Sequence, residues 1–135
     1  MAEAKSPARP AERPLSPHLQ IYSLTWTMAM SVIHRATGIA LYAGTLLLAY
    51  WLVSLAAGPA AYAIAQDVFG SVIGRVVLFG YTWALLHHMA GGIRHFVWDL
   101  GYGFDYKSRM GLARGTLIAS GILTIVIWVI GLSVG

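Results

Sequence analysis

Apolar residues in this chain gather into three long blocks separated by shorter polar or mixed stretches, instead of the short periodic runs of a water-soluble domain. The first block runs from about Ala36 to Ala57, and the weakly polar turns from Met28 to Arg35 extend the same helix backwards. The second runs from about Val76 to Ile93 although it carries His87 and His88, and the third, Thr116 to Val134, has no charge at all. Each approaches the roughly 20 residues a helix needs to cross a hydrocarbon core. The pattern predicts spans over about 28–57, 72–97 and 112–134, so residues 18–135 form an all-α integral membrane protein with three transmembrane helices. Gly58 and Pro59 punctuate the first span, and Ala60 to Gly74 reads as a connection of mixed character.

Residues 1–17, rich in Ala, Pro, Glu, Lys and Arg, show no apolar face and read as an extended arm. The arm lacks the apolar region of a secretory signal and holds Glu3 and Glu12, which a transit peptide avoids, so insertion through the first helix is expected. Composition sharpens the picture: 58% of the residues are hydrophobic and 10% charged, against about 25% charged in ordinary globular domains. Fourteen charged residues cannot cover a soluble core of this size. The absence of cysteine excludes a disulfide framework, a Cys-based zinc or iron–sulfur site and a c-type haem attachment. Metal chemistry would have to come from histidine.

Lys and Arg set the orientation. Lys5, Arg9, Arg13 and Arg35 precede the body of the first span, and Arg94, Lys107, Arg109 and Arg114 lie between the second and third; only Arg75 lies between the first and second. With three spans the first two groups share a side, eight against one, which places the amino terminus in the cytoplasm or its equivalent. The net charge of +4 is then a membrane-topology signal and calls for no nucleic-acid partner. Membrane lipid is the expected surrounding.

Ionisable residues at membrane depth are expensive and therefore point to function. Ser31, His34, Arg35 and Gly38 follow i, i+3, i+4, i+7 spacing, so they lie on one helical stripe that offers a hydroxyl, an imidazole and a guanidinium to a neighbour. Such a face can bind an anion or a carbonyl. The competing reading has His34 and Arg35 snorkelling to lipid phosphates.

The second cluster is His87-His88-Met89-Ala90-Gly91-Gly92-Ile93-Arg94-His95. His88 and His95 are seven residues apart, on nearly the same helical line and roughly 10.5 Å apart along the axis. Gly91 and Gly92 between them leave bare backbone, which suits a flat macrocycle with imidazole reaching its iron. Arg94 and His95 would then lie nearer water, where haem propionates find positive partners. The competing reading is helix packing through the glycines with histidines bonded across the bundle. Consecutive residues differ by about 100° on a helix, so at most one of His87 and His88 can be an axial ligand to a given haem, and spacing does not say which. His18, in the arm, reads as an interfacial residue.

Three motifs together resemble a known family: Arg13-Pro14-Leu15-Ser16-Pro17-His18-Leu19-Gln20-Ile21-Tyr22, then Met28-Ala29-Met30-Ser31-Val32-Ile33-His34-Arg35-Ala36-Thr37-Gly38, then the run from His88 to Gly101. In this order on a three-span chain they are similar to the cytochrome b556 membrane anchors of succinate dehydrogenase, respiratory complex II. The resemblance covers Arg13 to the end and is closest to the mitochondrial and alphaproteobacterial branch. It implies a flavoprotein that oxidises succinate, an iron–sulfur subunit, and two small anchors sharing one haem b. It implies His88 as the axial ligand and haem iron as the metal, His34, Arg35 and His95 near the haem propionates, and Ser31 and Arg35 at the ubiquinone site. The chain would be a non-autonomous subunit of succinate:quinone oxidoreductase. The rivals are an anchor of a quinol:fumarate reductase, which menaquinone would betray, and a haem-free structural adaptor, which would show no Soret band. The short, partly acidic arm favours a bacterial cytoplasmic membrane over a mitochondrial inner membrane.

Overall fold

A computed structural model describes residues 23–134, so the extended arm and His18 lie outside the described residues. Four helices follow one another: α1 (Trp26–Ala56), α2 (Pro59–Gly70), α3 (Val72–Asp99) and α4 (Tyr106–Val134). At 1.5 Å per residue the 31 residues of α1 extend about 46 Å, longer than a hydrocarbon core of roughly 30 Å. α1, α3 and α4 are the three helices long and apolar enough to cross a membrane.

The stretch expected to be a mixed connection is mostly helix. Gly58 turns the chain at φ 107°, and Pro59 occupies the first turn of α2, where its missing N–H costs nothing and its fixed φ suits a helix. α2 packs back on α1 through Trp51 against Tyr62 and Tyr50 against Phe69, and it also contacts α3. It lies between the end of α1 and the start of α3, away from the histidines.

α4 begins six residues before the expected span, because Asp105 caps it. The Asp105 carboxylate accepts from the Ser108 main-chain N–H at 2.9 Å, and its main-chain carbonyl accepts from the Arg109 N–H at 2.9 Å. The Ser108 N–H holds the Asp105 carboxyl below its ordinary range. A lowered carboxyl pKa means a stabilisation present above the ordinary carboxylate range and lost as pH falls through the lowered value. Asp105→Ala is therefore expected to speed amide exchange over residues 106–109 at neutral pH, with the gap to wild type closing in acid. Hydrogen–deuterium exchange across a pH series measures this.

Packing inverts the soluble pattern. The largest apolar side chains, among them Ile39, Leu46, Val76 and Ile125, face outward. Most buried positions are small or hydroxylated, among them Ala84, Ala113, Thr37, Ser54, Thr116, Ser120 and Thr124, with Met30, Leu86, His87 and Arg94 the larger exceptions. In a bilayer there is no hydrophobic gain from turning leucine inward, so close backbone approach and interhelical hydrogen bonds hold the helices. Thr116 and Thr124 return their hydroxyl protons to carbonyls four residues back, which leaves no buried donor stranded. Two side-chain bonds cross from α3 to α4: Trp128 Nε1 donates to Thr82 Oγ1 at 3.2 Å, and His87 Nδ1 lies 3.2 Å from Ser120 Oγ. Between α1 and α3, Gly44 accepts the Tyr81 ring against bare backbone.

Candidate functional site

α1 and α3 run antiparallel, so the head of α1 meets the tail of α3. The stripe read on α1 turns toward α3. The His34 and His88 rings stack with centroids 4.0 Å apart and planes 8° from parallel, and His95 lies 5.2 Å from His34 on the next turn. His34 thus packs against two histidines of the neighbouring helix.

Small residues make this approach possible. A Cβ on Gly91 would enter the His34 ring, and a Cβ on Gly38 would stand 3.1 Å from His88 Cε1. The gap left by Gly91 is therefore taken by His34, whereas Gly92 faces open space. His95 is turned by its own helix: Nδ1 donates to the Gly91 carbonyl at 2.7 Å. Ser31 is half-buried at the edge of the cluster, and Arg35 is exposed beside it.

The protons on His88 can be placed. Nδ1 is 3.1 Å from the His34 carbonyl oxygen, which only accepts, so Nδ1 carries the hydrogen and Nε2 keeps a lone pair. Thr37 Oγ1 lies 3.3 Å from the same Nδ1 and donates to the same carbonyl at 2.8 Å. A histidine tied down at Nδ1 by a carbonyl is oriented as metal-ligating histidines are. Nδ1 of His34, by contrast, is buried with no hydrogen-bond partner. A bare acceptor there costs less than a bare donor, which puts the His34 hydrogen on Nε2.

The two adjacent histidines are separated by the helix. His87 is 1% exposed, stacks on Trp83 at 5.0 Å and meets Ser120 of α4. The Ser120 hydroxyl donates to the Leu117 carbonyl, so its oxygen accepts from His87. Arg94, expected nearer water than His88, is a buried residue. It is 4% exposed on the His87 side of α3, its guanidinium 5.1 Å from the Trp98 ring centre and its Nε without a hydrogen-bond partner. Seven residues separate it from His87, the same spacing that aligns His88 with His95.

Thr37 escaped notice in the sequence because a threonine in an apolar block reads as filler. Its signal was position: three residues after His34, on the stripe, beside Gly38. Among the described residues no group of three or more His, Cys, Asp or Glu is arranged to hold a metal ion.

Comparisons with known proteins agree with this architecture. The chain is 40% identical over 120 residues to the succinate dehydrogenase cytochrome b556 subunit of Paracoccus denitrificans, covering 86% of this chain and 92% of that one. It is 36% identical over 118 residues to the subunit of the same name from Rickettsia felis, covering 87% and 92%. It is 36% identical over 122 residues to the human mitochondrial succinate dehydrogenase cytochrome b560 subunit, covering 89% of this chain and 68% of the human one. The profile of the succinate dehydrogenase/fumarate reductase transmembrane subunits matches residues 9–131. With three spans, a paired-histidine crossing and this likeness along almost its whole length, the chain belongs to the succinate dehydrogenase/fumarate reductase transmembrane subunit family.

Proposed function

We propose that this chain is the cytochrome b anchor of a succinate:quinone oxidoreductase, holding half of a haem b site and part of a ubiquinone site. The observation that carries the reading is the fixed His88 imidazole: Nδ1–H is spent on the His34 carbonyl and Nε2 keeps its lone pair. His88 would hold the iron. His34, with its hydrogen on Nε2, would meet a propionate together with Arg35 and His95, and Gly92 would leave room for the macrocycle. His95 is tied at Nδ1 to a carbonyl in the same way but is read here as a propionate neighbour, so a second small anchor would supply the other ligand. When bound, haem b supplies a one-electron redox centre beside the quinone.

The partners follow from the chemistry. Reducing a quinone to a quinol takes two electrons and two protons, and this chain has no cysteine to hold an iron–sulfur cluster. A flavoprotein that oxidises succinate and an iron–sulfur subunit would deliver the electrons at the end of the bundle that carries Arg35, Arg94, Lys107, Arg109 and Arg114. The excess of cations there supports that end, and the amino terminus, lying on the cytoplasmic side of a bacterial inner membrane.

Arg35 and Ser31 would do the work at the quinone. As a carbonyl oxygen gains negative charge, the Arg35 guanidinium, exposed on this chain, would stabilise it, and the Ser31 hydroxyl would donate a hydrogen bond or pass on a proton. Arg35→Lys keeps the charge and loses the planar fork. In the assembled complex it is expected to slow quinone reduction by about 10²-fold while succinate oxidation by an artificial dye and subunit content stay near wild type. Equal losses in all three would remove Arg35 from the quinone site, and a wild-type complex without a b-type spectrum would remove the haem.

A further inference from the structure

We propose that Thr37 is a positioning residue for His88, fixing both the rotation of the imidazole and the nitrogen that carries its hydrogen. The inference rests on the reading of His88 as a haem ligand. It adds a residue that neither the family likeness nor the histidine pattern singles out.

Thr37 is 4% exposed and sits where α1 crosses α3. A hydroxyl has one hydrogen, and here it goes to the His34 carbonyl at 2.8 Å. That bond selects one side-chain rotamer, since a β-branched residue in a helix has few and a carbonyl one turn back favours the one that reaches it. The hydroxyl oxygen is then left facing His88 Nδ1 at 3.3 Å with lone pairs only. The His34 carbonyl, 3.1 Å from the same nitrogen, also has only lone pairs. A bare Nδ1 would face the lone pairs of the His34 carbonyl and could be met by Thr37 only if the hydroxyl gave up its own bond to that carbonyl, so the pair favours the tautomer with the hydrogen on Nδ1.

Rotation is limited by the same neighbourhood. The His34 ring lies parallel at 4.0 Å on one face. Gly38 stands close enough to the ring edge that even a methyl there would press on Cε1. The His34 carbonyl is main chain and cannot be deleted by mutation, so the Thr37 hydroxyl is the adjustable half of the device.

The test uses the complete complex in membranes and compares wild type, Thr37→Val and Thr37→Ser. Valine keeps the shape and removes the hydroxyl; serine keeps the hydroxyl. Three quantities are read: haem content, the low-spin electron paramagnetic resonance g-values of the oxidised haem, and the fraction of dithionite-reduced haem that binds carbon monoxide. Thr37→Val is expected to retain haem but to shift the g-values and raise the carbon monoxide-reactive fraction about tenfold. Thr37→Ser is expected to match wild type in both. A Thr37→Val complex indistinguishable from wild type overturns the proposal, and so does equal haem loss in the valine and serine variants, which would mean packing alone. If valine blocks assembly, Thr37→Ala carries the same comparison against serine. Failure of the underlying reading looks different: the wild-type complex itself would have no low-spin haem signal.

Discussion

His88→Ala is expected to abolish the b-type band in the reduced-minus-oxidised spectrum of the complex, while His87→Ala leaves it in place. The two residues are neighbours in sequence and strangers in the fold. His88 faces α1 with Nε2 uncommitted, whereas His87 is sealed between Trp83 and Ser120. Removing the His87 ring opens a hole and breaks a bond to α4, and Ser120 keeps its own partner in Leu117. The cost belongs to stability, on the order of 2 kcal/mol, and appears as a lower melting temperature with a normal spectrum. A band that survives His88→Ala and disappears in His87→Ala would reverse the assignment.

Gly91→Val is expected to be the second large effect. Its branched side chain would occupy the volume of the His34 ring, where even a single Cβ overlaps. Backbone and ring cannot both stay, so α1 and α3 must separate or His34 must leave the stack. Overpacking of this kind costs about 3 kcal/mol, and the haem band should fall with it because His88 loses its fixed carbonyl. Gly92→Ala is the control: in this chain its Cβ meets nothing within 4 Å, so α1 and α3 keep their crossing. Loss of the band in Gly92→Ala with unchanged melting would report crowding by a bound macrocycle.

The spans and the pairing of the two polar clusters were legible in the sequence, because a bilayer leaves few ways to place long apolar blocks and because i, i+3, i+4, i+7 spacing is geometry. The identity of the outward-facing and inward-facing histidine was half legible. Spacing separated His87 from His88, but only the α4 hydroxyl at Ser120 says which one is packed away. α2 was hidden because Gly58-Pro59 reads as a break, and a proline that ends one helix is equally suited to begin the next. The early start of α4 was hidden because hydropathy marks the span and not the helix; Lys107, Arg109 and Arg114 lie on the helix without belonging to its apolar part. Arg94 follows His88 toward the end of α3, but its burial could be read only once His87, seven residues earlier, was seen to meet Ser120 of α4. The position of Thr37, three residues after His34, was legible, but its role was not, since a hydroxyl acquires it only when another helix brings a ring to it.

The hydrogen bond from His88 to a main-chain carbonyl of α1 has a further consequence. It ties the electronic environment of a side chain on one helix to the axial position of another, and helices in a bilayer slide and tilt as the membrane thickens or thins. A displacement of α1 along α3 by a fraction of a turn would draw that carbonyl away from the imidazole. If His88 holds a haem as proposed, the haem spectrum would shift with such a displacement, which reconstituting the complex in lipids of graded acyl-chain length would test.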